Sequence, residues 1–288
     1  MIKNTEKIAA VIVTYNRLEL LKKVVAGLRT QTIKLDKIIV INNSSTDGTV
    51  DWLTQQEDIE FITQKNLGSS GGQHTGAVVA FNAGYDWVWQ MDDDVVADSE
   101  CLHNLLKHAT KDLVVVPKRL TSKGEVFYND TKEVNLTNPF KSIWRSIVNE
   151  KDFYNSLVFV DGMTLEGPLF HRSVYERIGF VEKDFFITGD DTEYSIRMKK
   201  NGIKAAIVTD AIFHRQIPYP ENTAIYDWKT YYIIRNLIAM DVLHGNAAVR
   251  VIRPLGYLIT WLMRCRNFDN VKTAFRAFIN GYFYKSTK

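Results

Sequence analysis

YDWVWQMDDDVVAD, residues 85–98, is the stretch from which the fold can be read. Its first half, with Trp87, Val88, Trp89 and Met91, is apolar and aromatic enough for a buried strand. That strand runs into three consecutive carboxylates, Asp92, Asp93 and Asp94. Alternate side chains share a face along an extended chain, so Asp92 and Asp94 can point together while Asp93 points elsewhere. Two acids at the end of a buried strand repel unless positive charge lies between them. A hard divalent cation meets that need, and Mg2+ or Mn2+ keeps coordination positions for substrate phosphates. An isolated triple aspartate also serves as an acidic turn or a helix cap, so the choice rests on its surroundings. Trp87 and Trp89 sit on the buried strand and are expected in the core rather than against a sugar.

Upstream, the pattern repeats. Ile8 to Val13 is a β-branched apolar run suited to a central parallel strand. Thr14, Tyr15, Asn16 and Arg17 end it, and Leu18 to Leu28 follows at helical spacing. A second strand, Lys37 to Ile41, breaks into Asn42, Asn43, Ser44, Ser45, Thr46, Asp47 and Gly48, all turn formers or helix caps. A helix over Thr49 to Gln56 and a third strand over Ile59 to Thr63 complete a doubly wound α/β pattern. Ligands of such sheets bind beyond the carboxyl ends of the strands. Thr14–Arg17, Asn42–Asp47 and Asp92–Asp94 all fall at those ends. The segment from Asn66 to Gly72, NLGSSGG, reads as a glycine-rich loop whose backbone can approach a diphosphate; a flexible turn is the plainer alternative. Gln73 to Gly84 reads as the helix that follows.

Downstream, Ser99 to Ala109 reads as a helix and Leu113 to Pro117 as a strand. Residues 118–152 show no strong period and suit a hairpin excursion with a loop. Leu157 to Met163 reads as a strand, and Ser173 as the cap of a helix stopped by Gly179. In DFFITGDDTEYSIRMKK, residues 184–200, the acids Asp190, Asp191 and Glu193 open a helix whose last turn carries Arg197, Lys199 and Lys200, which also matches the helix dipole. From Tyr226 onward the chain is helical, basic and aromatic. Such helices either lie in a membrane interface or cap the α/β domain with a solvated basic face.

The 288 residues suffice for one elaborated α/β domain or two small ones, and 45% are hydrophobic, which provides a core. A net charge of +3 gives no reason to expect nucleic acid. Cys101 and Cys265 are far apart and form no metal-spaced pair; free thiols in a reducing compartment are the simpler reading, with one disulfide the alternative. MIKNTEKIAAVIVTY carries no signal-peptide pattern, and no apolar run reaches spanning length. A cytoplasmic protein is expected, at the inner face of the membrane if the C-terminal helices bind it rather than cap the domain, in an oligomeric state left open.

Taken with VIVTYNR (11–17), NNSSTDGT (42–49), FHRSVYERIGF (170–180), FH (213–214) and YYIIRN (231–236), these motifs resemble the inverting GT-A glycosyltransferases of family 2 over about residues 8 to 245. Each is short, but their order and spacing are specific. NLGSSGG, the uninterrupted DDD, GDDTEYSIR and YYIIRN look most like the galactofuranosyltransferase and rhamnosyltransferase branch, whose members build bacterial surface glycans. The resemblance implies an α/β, Rossmann-like GT-A domain over residues 1–225 with a C-terminal helical extension over 226–288. It implies a UDP- or dTDP-linked sugar donor, a Mn2+ or Mg2+ ion, and a glycan acceptor that the basic helices extend to a lipid-linked one. Thr14, Tyr15, Asn16, Arg17 and the loop with Asn42, Asn43 and Asp47 would hold the nucleoside, and Asn66, Gly71 and Gly72 the diphosphate. Asp92, Asp94 and His214 would hold the metal, Asp93 would lie near the ribose or donor sugar, and Asp191 would be the catalytic base. Two positions depart from the family. Asn42 stands where Asp is common, an amide that can bond a pyrimidine but brings no charge, and Ser69-Ser70 stand where Gly or Ala is usual. Asp190 and Glu193 are expected to cap the helix or shape the acceptor pocket, and His74, next to the glycine-rich stretch, either touches the donor or lies on the surface. A nucleotidyltransferase is the competing enzyme class, but its glycine- and arginine-rich loop is missing after the first strand. A non-catalytic nucleotide-sugar binder is the other alternative, and intact Asp92, Asp94, Asp191 and His214 argue against it.

Overall fold

The run Ile8–Thr14 is buried at every position, as a strand covered on both faces must be. It is the centre of the sheet. The computed structural model describes residues 6–218 and 226–286; the expected boundary after residue 225 and the start of the N-terminal stretch lie outside them. In chain order the elements are β1 (Ile8–Thr14), α1 (Leu18–Arg29), β2 (Lys37–Asn42), α2 (Thr49–Leu53), β3 (Ile59–Thr63), α3 (Gly68–Asn82), β4 (Trp87–Asp92), β5 (Val95–Ala97), α4 (Cys101–Leu106) and β6 (Leu113–Leu120). There follow β7 (Thr131–Val134), β8 (Trp144–Ile147), β9 (Leu157–Val160), β10 (Leu169–His171), α5 (Arg172–Ile178), α6 (Asp190–Lys200), β11 (Lys204–Arg215), α7 (Thr230–His244), α8 (Ala247–Leu262) and α9 (Phe268–Tyr282).

The main sheet runs β3-β2-β1-β4-β10-β6-β11-β5, with β9 paired to β11. Its first four strands are parallel, and register sets Thr14 beside Asn42 and Val13 beside Asp92. The polar ends of β1, β2 and β4 therefore meet on one edge. Beyond β4 the sheet is mixed, since β10 enters antiparallel between β4 and β6. One face is covered by α1 and α4 through Leu21, Val25 and Leu102, the other by α3, α5 and α6 through Ala77, Val174 and Tyr194. Trp89 is fully buried and Trp87 nearly so, as core packing requires. Residues 131–147 form a separate two-stranded hairpin of β7 and β8.

The glycine-rich stretch corrects the sequence reading. Gly68, at φ +73°, opens α3, and Ser69 to Gly72 form its first turn rather than a loop. The reason is packing. A Cβ on Gly72 would lie 2.3 Å from Val13 Cγ1 and one on Gly76 2.2 Å from Val11 Cγ1, so bare backbone lets α3 press against β1. Gly71 faces Leu67 in the same way. Ala is a better helix former than Gly by about 1 kcal/mol, yet overpacking costs about 1–3 kcal/mol. Gly72→Ala is therefore expected to destabilise the protein, read as a lower urea midpoint; a higher one would mean that α3 is free to shift.

Near the C-terminus, Arg253 of α8 donates to both carboxylate oxygens of Asp241 on α7 and to the backbone oxygens of Asn135 and Lys141. This buried pair ties the terminal helices to the loop between β7 and β8. Among the described residues no helix is long and apolar enough to cross a membrane. Cys101 and Cys265 are free thiols.

Candidate active site

Strand β4 delivers Asp92 to the sheet edge, and the turn after it separates three carboxylates by partner. Asp93 turns toward β1, accepting from Thr14 Oγ1 at 2.8 Å, from Tyr15 N at 3.4 Å and from Arg17 at 3.0 Å. Arg17 also reaches Asp94, at 3.1 Å. Asp92 accepts from Ser69 Oγ and Gln73 Nε2, both at 3.2 Å, from the first turns of α3. Burial pushes the Asp92 carboxyl well above its usual range, and Asp94, Glu166 and Asp93 push it further. Asp94 is raised by burial and by Glu166, against the pull of Arg17 and Arg215.

Glu166 escaped the sequence reading. It is held by Arg119 at 3.3 Å and by Arg215, and Arg119 also bonds Asp130 and Thr164. Among the described residues this cluster joins five carboxylates (Asp92, Asp93, Asp94, Asp130 and Glu166) to three guanidinium groups (Arg17, Arg119 and Arg215). The mutual repulsion of Asp92 and Asp94 is what a divalent cation would remove, and hard oxygen donors are what it prefers. The residues therefore fit a Mg2+- or Mn2+-type ion that draws its other ligands from substrate phosphate and water.

His214 does not join them. Among the described residues no three His, Cys, Asp or Glu side chains converge as a metal set. In β11, paired antiparallel with β5, alternation sends Arg215 toward Glu166 and the His214 imidazole to the other face, where Nε2 lies 2.7 Å from Asp98 Oδ1. His214 thus does not complete the expected three-residue shell with Asp92 and Asp94.

The other expected residues line the same edge. Tyr15 is 47% exposed, and Asn16 sits at φ +52° with its side-chain oxygen on Thr46 N at 2.7 Å. Asn42 is buried between Thr63 Oγ1 and Ser45 N. Asn43 bonds Gly68 O and Gln64, and Asp47 receives Leu18 N and Thr49 at the starts of α1 and α2. Asn66 receives Gly68 N. Asn42 and Asn43 are buried and shape the loops, while Tyr15, Asn16, Arg17 and Asp47 are exposed along the edge.

Asp191 opens α6 after a strained loop, with Phe186, Thr188 and Gly189 at φ +65°, +63° and +83°. Such strain persists only where surrounding contacts over-determine it. Here α7 provides them. Asn236 Nδ2 donates to the oxygens of Phe185, Ile187 and Thr188 at 3.0, 3.0 and 2.7 Å, Arg235 holds Asp184 O and Phe185 O, and the Phe186 ring stacks on Tyr232 at 4.7 Å. The loop also meets α3, where Ser70 N donates to Phe186 O at 3.2 Å, one residue from the Ser69 that holds Asp92. The α3 N-terminus thus lies between the two acidic centres.

Asp191 is half-buried in a cavity of about 370 Å3 lined by Thr131, Trp144, Thr164, Thr192, Asn236 and Met240, among others. Its Oδ1 accepts from Thr192 N at 2.6 Å and Thr192 Oγ1 at 3.2 Å, and Trp144 Nε1 donates to that hydroxyl at 3.1 Å. Burial, then the neighbouring Asp190, pushes the carboxyl up to about 7, against those two bonds from Thr192. A carboxyl held there is half ionised near neutrality. Glu193 is different: it is fully buried, bonded twice by Arg197 and once by His244, and held below its usual range despite burial. His74 bonds Val181 O at 2.7 Å and is structural. Asn236→Ala should lower turnover by about 10²-fold, since small misplacement of a reacting group costs that much. Donor affinity should hold, and steady-state kinetics with donor titration checks both.

A model of glycosyl transferase family 2 matches residues 9–179, more than half of the chain. The chain belongs to glycosyl transferase family 2. This glycosyltransferase is 30% identical over 218 residues to galactofuranosyltransferase GlfT1 of Mycobacterium tuberculosis, covering 73% of this chain and 70% of that one. It is 26% identical over 244 residues to the O-antigen chain rhamnosyltransferase RfbN of Salmonella typhimurium, covering 82% and 75%. Among solved structures, GalNAc-T7 with UDP, GalNAc and Mn2+ matches with a TM-score of 0.68 at 11% identity, over 96% of this chain and 55% of that one. The mannosyltransferase PcManGT from Pyrobaculum calidifontis with GDP-Man and Mn2+ matches with a TM-score of 0.56 at 18% identity, over 98% and 77%. The family 2 enzyme has the GT-A fold, and the nucleotidyltransferase reading falls away.

Proposed function

We propose that this enzyme moves a galactofuranosyl or rhamnosyl group from a nucleoside-diphosphate donor to a hydroxyl of a glycan, with inversion. The observation that carries the reading is Asp191 at the wall of a cavity, its carboxyl raised to about 7, just after the loop that Ser70 N of α3 holds at Phe186 O. The similarity to GlfT1 and RfbN supports the sugar classes. The nucleoside rests on the Thr14–Tyr15 shelf and the 42–47 loop, with Asp93 fixing that shelf to β4 through Thr14. The diphosphate lies at the N-terminus of α3, where the helix dipole favours an anion. Arg17, with a side chain 44% exposed, exchanges Asp94 for a phosphate oxygen. Bound at Asp92 and Asp94, a Mn2+ or Mg2+ ion supplies Lewis-acid neutralisation of the departing diphosphate.

The acceptor hydroxyl enters the cavity with Trp144 and Thr131 beside it. Thr192 occupies Oδ1 of Asp191, which leaves Oδ2 to take the hydroxyl proton. The acceptor oxygen bonds the anomeric carbon as the bond to the diphosphate oxygen breaks, and the electron pair leaves with the nucleotide. One displacement with one base inverts the centre. The acceptor is lipid-linked, and the enzyme works at the inner face of the membrane. Released nucleotide, measured with UDP-galactofuranose, dTDP-rhamnose and UDP-hexoses with and without EDTA, tests this. Release from UDP-galactofuranose or dTDP-rhamnose that needs the divalent ion and a glycan acceptor is expected. Release from none of these donors would sink the reading.

A further inference from the structure

Helices α8 and α9 carry a surface that the transferase chemistry does not use. On α8, Val251, Leu255, Ile259 and Met263 recur every fourth residue and are 51%, 48%, 58% and 76% exposed. That spacing keeps them on one face. Between Arg250 and Arg264 the only charged residue is Arg253, which is turned inward onto Asp241, so the outward side of α8 carries no charge beyond Arg250 in its first turn. On α9, Phe268, Phe275 and Ile279 are exposed in the same way, with Lys272 and Arg276 exposed beside them. Helices of globular domains turn polar residues outward. Here α9 buries the small residues Ala274, Ala277 and Gly281 and presents the large apolar ones. Single exposed leucines need no explanation, but large apolar side chains exposed turn after turn on two neighbouring helices do.

Charge identifies the occupant. Residues 247–288 contain eight Lys and Arg and one acid, Asp269. Arg250, Arg264, Arg266, Lys272, Arg276 and Lys285 are all exposed around the stripes. A second copy seated by a two-fold axis would set this basic rim against itself, whereas anionic phospholipid headgroups offer the opposite sign.

We propose that the outward face of α8 and α9 docks on an anionic bilayer, with the apolar stripes entering the acyl boundary and the basic rim on the phosphates. The docking rests on the membrane-side acceptor proposed above, and it would hold the enzyme where a lipid-linked glycan is presented. The test is co-sedimentation of the full chain with phosphatidylcholine vesicles and with vesicles containing phosphatidylglycerol, at low and high salt. It is repeated with Ile259→Ser/Ile279→Ser, exposed positions whose change leaves the core intact. The wild type should bind the anionic vesicles only, and less at high salt. The double variant should bind about tenfold more weakly or worse, with equal thermal stability and equal turnover on a soluble acceptor. No binding to anionic vesicles, or equal binding by both proteins, overturns the docking. So does a wild-type dimer that the double variant abolishes, which would give the face to a second copy. Normal vesicle binding by a wild type that turns over no donor would sink the transferase reading and leave the docking standing.

Discussion

Asp191→Asn should lower turnover by about 10²–10⁴-fold, the usual worth of general-base help, while donor affinity changes little. Asparagine keeps the size and the bonds from Thr192 but cannot take a proton. The pH profile gives a second readout. The base works ionised, and its pKa is raised to about 7, so wild-type kcat/KM should climb with pH to about 7 and then level. At pH 6 about a tenth of the carboxyl is ionised. The residual activity of the variant should lack that limb. Stability should move oppositely. A carboxyl raised on folding favours the native state below its unfolded pKa, and that contribution is lost as pH rises through about 7. The Asn variant should therefore melt higher than wild type at pH 8, with the gap closing toward pH 5. An acid limb that survives in the variant, or donor affinity that falls together with turnover, would remove Asp191 from the base role.

Asp92→Asn and Asp94→Asn should each abolish metal-dependent transfer, by at least about 10²-fold, because even supporting groups around a metal are worth 10–100-fold in affinity. Folding should survive. Burial and like charges already push both carboxyls toward the neutral form, which an amide resembles, so the melting temperature should hold or rise. Weakened donor binding in Mn2+ would place the loss at the diphosphate. EDTA should silence the wild type and change the variants little further. Wild-type turnover that is indifferent to EDTA would refute the metal role of the pair. Glu166→Gln should behave differently, because Glu166 is bonded by Arg119 and Arg215. Its loss should lower stability as well as activity, since breaking a buried ion pair costs about 3–5 kcal/mol.

By itself, the sequence determined the parallel half of the sheet, the edge where Thr14, Asn42 and Asp92 meet, and the helix start that carries Asp190 and Asp191. These are local properties. Apolar period and turn residues mark where strands end, and right-handed crossovers bring the ends of parallel strands to one edge. The tertiary structure alone decided what long-range packing sets. Glu166 meets Arg119 and Arg215 across 47 and 49 residues, and Asn236 reaches Phe185 across 51. No period or spacing announces such partners. The same holds for the hairpin wall with Trp144, which joins Thr192 only in the fold. Where the sequence misled, a neighbour it could not display was responsible. Val13 and Val11 make NLGSSGG a helix pressed on β1 instead of a loop. Strand pairing with β5 turns His214 to Asp98 and away from the face where Arg215 meets Glu166, because adjacent residues of a strand must face opposite ways.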